Sequence, residues 1–198
     1  MSVGNRFLSL LFVASLLTLV ASCVESGNPA SNEKTSKIDQ RLLGDWKDDN
    51  GDVWKVTKSK DVENGLNLKL PDPKASDRIL AFSTTIGSKG YLRISDAGKE
   101  AKSNDANKEA KKKQESKFEI YQYVLTDDDT LEVRGMDSKA IAKAIEDKQL
   151  VGKIVKKKSE DSPVITDTTE GIVHYLEAHA DECFPEKTDA KMVFKRQK

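Results

Sequence analysis

Cysteine is scarce in this sequence. Only Cys23 and Cys183 occur in 198 residues. Imidazoles are as scarce, with His174 and His179 alone. Zinc needs three or four convergent ligands. Of His174, His179 and Cys183, only His179 and Cys183 stand at the i, i+4 spacing that shares a helix face, so no metal site is expected. The same two imidazoles are the only ring bases available to a nucleophile. There is no Gly-x-Ser-x-Gly elbow, no Walker loop and no Cys-x-x-Cys pair. A Cys183–His179 dyad would lack any nearby oxyanion-hole pattern. The chain therefore reads as non-enzymatic and without a cofactor. A net charge is missing too: 33 Lys and Arg balance 33 Asp and Glu, which argues against nucleic acid as a partner.

A membrane-spanning run is also absent. The apolar stretch from Phe7 to Ala21 covers about 15 residues, short of the roughly 20 that a helix needs to cross a bilayer. With Arg6 before it, the stretch has the n-region and h-region of a secretory signal. Its end, Val20-Ala21-Ser22-Cys23, resembles the lipobox of bacterial lipoproteins. The resemblance implies cleavage after residue 22 and acylation of Cys23. With Cys23 expected to carry lipid, Cys183 is left alone, so no internal disulfide framework is expected and stability must come from a packed core. A plain secretory signal cut near Ala21 or Ser22, or an uncleaved helix, is the alternative. Several acyl chains give stable anchoring, since one alone binds only reversibly. Val24, rather than Asp, follows the cysteine. In the lipoprotein family that implies the outer membrane, facing the periplasm or the cell surface.

Residues 23–38 carry the lipidated cysteine and then Ser, Asn, Gly, Pro, Glu and Lys. Such a composition buries little apolar surface and reads as a flexible tether. One domain is expected over 39–198. Its pattern is mainly β. Trp54 and Val56 alternate with Val53, Lys55 and Thr57. Leu66, Leu68 and Leu70 alternate with Asn67 and Lys69. Further strands are expected at 79–85, 91–94, 118–125 and 130–134, with a terminal one at 191–196. Asp48-Asp-Asn-Gly51-Asp52 misses the calcium-loop register, in which glycine stands sixth and glutamate twelfth, and reads as a hairpin turn. Two helices are expected: one capped by Asp137 or Ser138, and one opening with Asp167 and Glu170 as a capping box. Residues 96–116 have no apolar stripe and read as a charged, low-complexity insertion in a hairpin. Lys111, Lys112 and Lys113 near its end give it a weak claim on anionic surfaces.

The motif Gly44-Asp45-Trp46 resembles the Gly-x-Trp opening of lipocalins. A wider similarity runs to uncharacterised bacterial proteins with a lipocalin-like domain, through Asp129-Thr130-Leu131, Thr168-Thr169-Glu170 and the Phe194-Lys195-Arg196 ending. The resemblance implies an antiparallel meander barrel, small or incomplete, within a β-rich α+β fold. It also implies that Trp46, beside Gly44, closes one end of that barrel beneath a basic residue from the last strand, for which Arg196 is best placed. The second lipocalin motif, Thr-Asp-Tyr, is not recognisable.

The expected function is a membrane-anchored lipoprotein whose domain binds a small apolar or amphipathic ligand. Trp54, Phe82, Tyr91 and Tyr123 are the candidate aromatic walls. The alternative is a structural or interaction lipoprotein of the cell envelope, with a filled core and a protein partner.

Overall fold

The computed structural model describes residues 24–31, 34–71, 78–95, 117–127, 129–156 and 161–197. Cys23, the preceding apolar run and the insertion at 96–116 lie outside the described residues.

The chain enters as a short strand, β1 (Glu25–Ser26), and reaches a single 3-10 turn at Gln40–Leu42. A meander follows: β2 (Gly44–Asp48), β3 (Val53–Lys58), β4 (Gly65–Lys69), β5 (Arg78–Ile86), β6 (Lys89–Ser95), β7 (Phe118–Asp127) and β8 (Thr130–Gly135). Helix α1 (Ser138–Glu146), strands β9 (Gly152–Val155) and β10 (Ser162–Ile165), helix α2 (Thr169–Cys183) and strand β11 (Lys191–Arg196) complete it. The strands form one sheet in the order β6-β5-β4-β3-β2-β11-β8-β7-β1-β10-β9, and β6 also pairs with β7. That last pairing closes β2 to β8 and β11 into an eight-stranded antiparallel barrel of lipocalin-like type. The barrel is complete, and the fold is mainly β with two helices.

Side-chain alternation divides each wall into an inner and an outer face. Trp46 faces Trp54, Val56 faces Leu68, Leu66 faces Ala81 and Leu92 faces Tyr121 across adjacent strands. These residues, with Leu131, Val133 and Phe194, form one core cluster inside the barrel. Burying each such Leu or Phe is worth about 1.5–3 kcal/mol. A second cluster lies outside the wall. Ile86, Tyr91 and Ile120 point outward from β5, β6 and β7 and meet Ile141, Ala144, Ile172, Tyr175, Leu176 and Phe184 of the helical layer. Strands β5 to β7 are therefore apolar on both faces.

Strand β8 leaves the edge of β7 at Gly135, which pairs with Tyr121. Strand β1 takes up the same edge, with Glu25 opposite Glu119 and Ser26 opposite Phe118. Strand β10 then joins β1 in parallel, and β9 joins β10. This three-stranded side sheet extends away from the barrel, with α1 packed on one face. The segment expected to be a free tether is packed here. Val24 is 4% exposed, and Ala30, Ser31 and Ser36 are buried. Asn28 Nδ2 donates to the Asp167 carbonyl at 2.8 Å. Two backbone-paired residues and a few small buried ones suffice to hold it, which composition alone does not reveal.

The helix starts are sharply capped. Asp137 Oδ1 accepts from the amides of Lys139 and Ala140, both at 2.9 Å. For α2 the cap is Thr168, whose hydroxyl accepts from the Gly171 amide at 3.0 Å. This corrects the expected Asp167–Glu170 box. Asp167 is occupied elsewhere: its Oδ2 accepts from the Val151 amide at 3.0 Å and so ties α2 to the start of β9.

Candidate functional site

One end of the barrel is plugged. The chain from residue 37 crosses it: the Ser83 hydroxyl donates to the Lys37 carbonyl at 2.8 Å and accepts from the Asp39 amide at 3.2 Å. Tyr123, inward on β7, donates its hydroxyl to Asp39 Oδ2 at 3.0 Å. Its ring lies flat against Gly90, where any Cβ would overlap it. The 3-10 turn then drops Leu42 into the core, 2% exposed. Trp46 Nε1 donates to the Leu42 carbonyl at 2.8 Å. The Arg196 guanidinium covers the Trp46 ring at 4.2 Å and donates to the Leu43 and Arg41 carbonyls at 2.9 and 2.5 Å. Gly44 has φ +130°, and a side chain there would press on Arg196 Nη1, so glycine is needed on both counts.

The plug is electrostatically tuned. The Arg41 side chain, with Nε and Nη2 on the Asp39 carboxylate at 3.0 and 2.7 Å, holds Asp39 below the usual carboxylate range. Burial, and then the neighbouring Asp39 charge, push the Tyr123 phenol well above its ordinary value.

The opposite end is different. The inward residues there are Trp54, Leu68, Ile79, Ile94, Tyr121 and Met192, all half-buried. The Trp54 ring meets Phe194 edge-on, with centroids 5.8 Å apart. Two carboxylates join this apolar ring. Asp48, opposite Phe194, accepts from Trp54 Nε1 at 3.3 Å and from the amides of Asn50 and Asp52 at 2.9 Å. Glu119 accepts from the Tyr121 hydroxyl at 2.7 Å. Alternation puts no Lys or Arg on the inner face of this half among the described strand residues. Lys117, just before β7, is paired with Glu25 at 2.7 Å. Among the described residues this end of the barrel is half-apolar and acidic, above a packed lower barrel.

The four aromatic residues expected to form ligand walls are not brought together. Trp54 stands at the acidic end. Tyr123 is in the plug. Phe82 and Tyr91 face the other side of the wall. Phe82 is fully buried beneath the Arg93 guanidinium, 4.1 Å from its ring, and Tyr91 packs edge-on against Phe184 at 5.6 Å. A single-residue offset decides this, because Ala81 and Leu92, their neighbours, take the inner positions. The sequence does not by itself mark Leu68, Ile94, Tyr121 and Met192 as residues of the acidic end. The alternation that places Trp54 inward, carried through the strand registers, puts them there.

Cys183 is fully buried, and burial pushes its thiol up to about 12. His179 stacks on Tyr175 at 4.7 Å and lies 3.3 Å from Glu182, while His174 is exposed. Among the described residues no three His, Cys, Asp or Glu side chains gather as metal ligands.

Comparison with known proteins finds no matching family model, no matching curated protein and no matching solved structure.

Proposed function

We propose that this chain is a non-enzymatic, membrane-anchored lipoprotein of the cell envelope. Its lipocalin-like barrel takes a small amphipathic ligand at the end opposite the plug. The observation that carries this reading is the asymmetry of the barrel. One end is sealed by Trp46, Arg196, Tyr123 and Asp39. The other presents half-buried Trp54, Leu68, Ile94, Tyr121 and Met192. An eight-stranded barrel is just wide enough to fill itself with side chains or to hold one small ligand. Here the lower half is filled, so the ligand enters only the upper half. Asp48 and Glu119 beside the apolar ring favour a neutral or cationic head group over a carboxylate, which would be buried next to like charge.

The anchor reading rests on the Val20-to-Cys23 motif and places the protein at the outer membrane, facing the periplasm or the surface. The second reading is an envelope interaction protein with no ligand. The solid packing of Leu66, Ala81, Tyr123 and Phe194 in the lower barrel favours it. Native mass spectrometry of the protein released from bacterial membranes separates the two. A retained small amphiphile, lost in Trp54→Ala, supports ligand carriage. A bare mass together with co-purifying envelope proteins supports the interaction reading.

A further inference from the structure

Among the described residues, the large apolar side chains that stand exposed are Val151 at 60% and Val155 at 36%. Both belong to one place. Val151 precedes β9, and its carbonyl accepts from the Thr166 amide at 2.9 Å, continuing the ladder with β10. Alternation then sets Val151, Lys153 and Val155 on one face, while Gly152 and Ile154 turn to the other. Gly152 lies against Ile145 of α1, so the valines and Lys153 are on the face away from the helix. Val164 of β10 lies beside Lys153 on that face. Lys156 follows at the end of the strand, and the sequence continues Lys157-Lys158. Neither Lys153 nor Lys156 is paired with a carboxylate among the described residues. Among the described residues strand β9 is also the terminal strand of the sheet.

Position supplies the partner. Glu25 pairs with Val164, which pairs with Lys153. Two strand spacings, about 10 Å, separate β1 from this edge. Strand β1 runs parallel to β10 and antiparallel to β9, so its Cys23-ward end points toward Ser162 and Val155. Val24 is packed rather than tethered. A lipid on Cys23 would therefore be one peptide bond from the folded domain, with no spacer between bilayer and side sheet. Lysines on a free edge strand discourage edge-to-edge pairing. That role needs no exposed valines beside them, whereas interfacial docking uses both.

We infer that the edge of the side sheet, through Val151, Lys153 and Val155 with Lys156 at the strand end, is a docking surface for an anionic bilayer. It fixes the orientation of the domain on the membrane. The inference rests on the proposed anchor at Cys23.

The test couples the processed chain, beginning at Cys23, to vesicles bearing a maleimide lipid. Buried Cys183 leaves Cys23 as the reacting thiol. Each lysine is then acetylated by a water-soluble reagent and read by mass spectrometry. On vesicles containing phosphatidylglycerol, modification of Lys153 and Lys156 should fall at least fivefold relative to phosphatidylcholine vesicles. Lys55 and Lys58, on the opposite wall, should be unchanged. The exposed-site double variant Val151→Asp/Val155→Asp should restore modification. Equal modification of all four lysines on both vesicles would overturn the inference. So would protection without vesicles that grows with protein concentration, which would assign the edge to a second copy of the chain. Because the coupling is chemical, a failure of cellular acylation at Cys23 would be seen separately, as an unmodified mass in cells.

Discussion

The Arg196 guanidinium lies 4.2 Å over the Trp46 ring and bridges the Leu43 and Arg41 carbonyls, so the last strand clamps the entry to the first. The relationship joins the two ends of the barrel meander, since β11 pairs with β2 through Arg196 and Trp46. It combines a cation–π contact with charge-assisted hydrogen bonds. Arg196→Ala should destabilise the domain by roughly 3 kcal/mol, or about 10 °C in Tm at this size. Arg196→Lys should recover less than half, because a point charge cannot stack and fork at once. Thermal unfolding of the two variants checks both figures.

The plug should loosen in acid. Asp39 has a folded-state pKa below its unfolded value, chiefly through the Arg41 side chain. Its contribution is therefore present above the unfolded pKa, about 3.9, and is lost as pH falls through the lowered folded value. Asp39→Asn should flatten the stability–pH curve in that acid window and leave the neutral region parallel to the parent. Urea unfolding between pH 2 and pH 6 measures it. A parent and variant that run parallel throughout would detach Asp39 from the plug.

Cys183 should behave as a core residue. With its thiol raised to about 12, it stays protonated at neutral pH, and it is also fully buried. Iodoacetamide at pH 8 should leave it unmodified in the folded protein and alkylate it in 6 M guanidinium. Rapid native labelling would show that α2 opens far more readily than its packing implies.

Cys23 should carry the anchor. Cells fed a radioactive fatty acid should label the parent and not Cys23→Ala, whose signal should also remain uncut. A variant that still labels and is processed normally would remove the lipoprotein reading.

Much of the barrel is legible in the sequence because its signals are local. The alternation of Trp54 with Val56, and of Leu66 with Leu68, gives the inner face of β3 and β4 directly. Gly44-Asp-Trp46 and Arg196 stand at opposite ends of the chain, yet each sits in a pattern that marks a terminal strand. The outer layer is less legible. Ile79-Leu-Ala-Phe82 and Tyr91-Leu-Arg-Ile94 are apolar on both faces, because the helices cover the outside of β5 and β6. Period-2 reasoning then has no polar face to fix the register, and it puts Phe82 and Tyr91 on the inner face that Ala81 and Leu92 occupy. Strand β1 is illegible for another reason. Glu25 and Ser26 enter the sheet through backbone pairing beside the Glu25–Lys117 ion pair, and side-chain composition does not encode that pairing.

The proposed ligand binds at the half-buried end of the barrel, where Trp54 stands. Trp54 fluorescence, read in the Trp46→Phe background, should respond to dodecylammonium below its micelle concentration and saturate at one ligand per chain. The response to dodecanoate should be at least tenfold weaker, because Asp48 and Glu119 repel it. Leu68→Lys should abolish the dodecylammonium response without unfolding the barrel. Equal, unsaturable responses to both amphiphiles, unchanged in Leu68→Lys, would contradict a ligand site at this end.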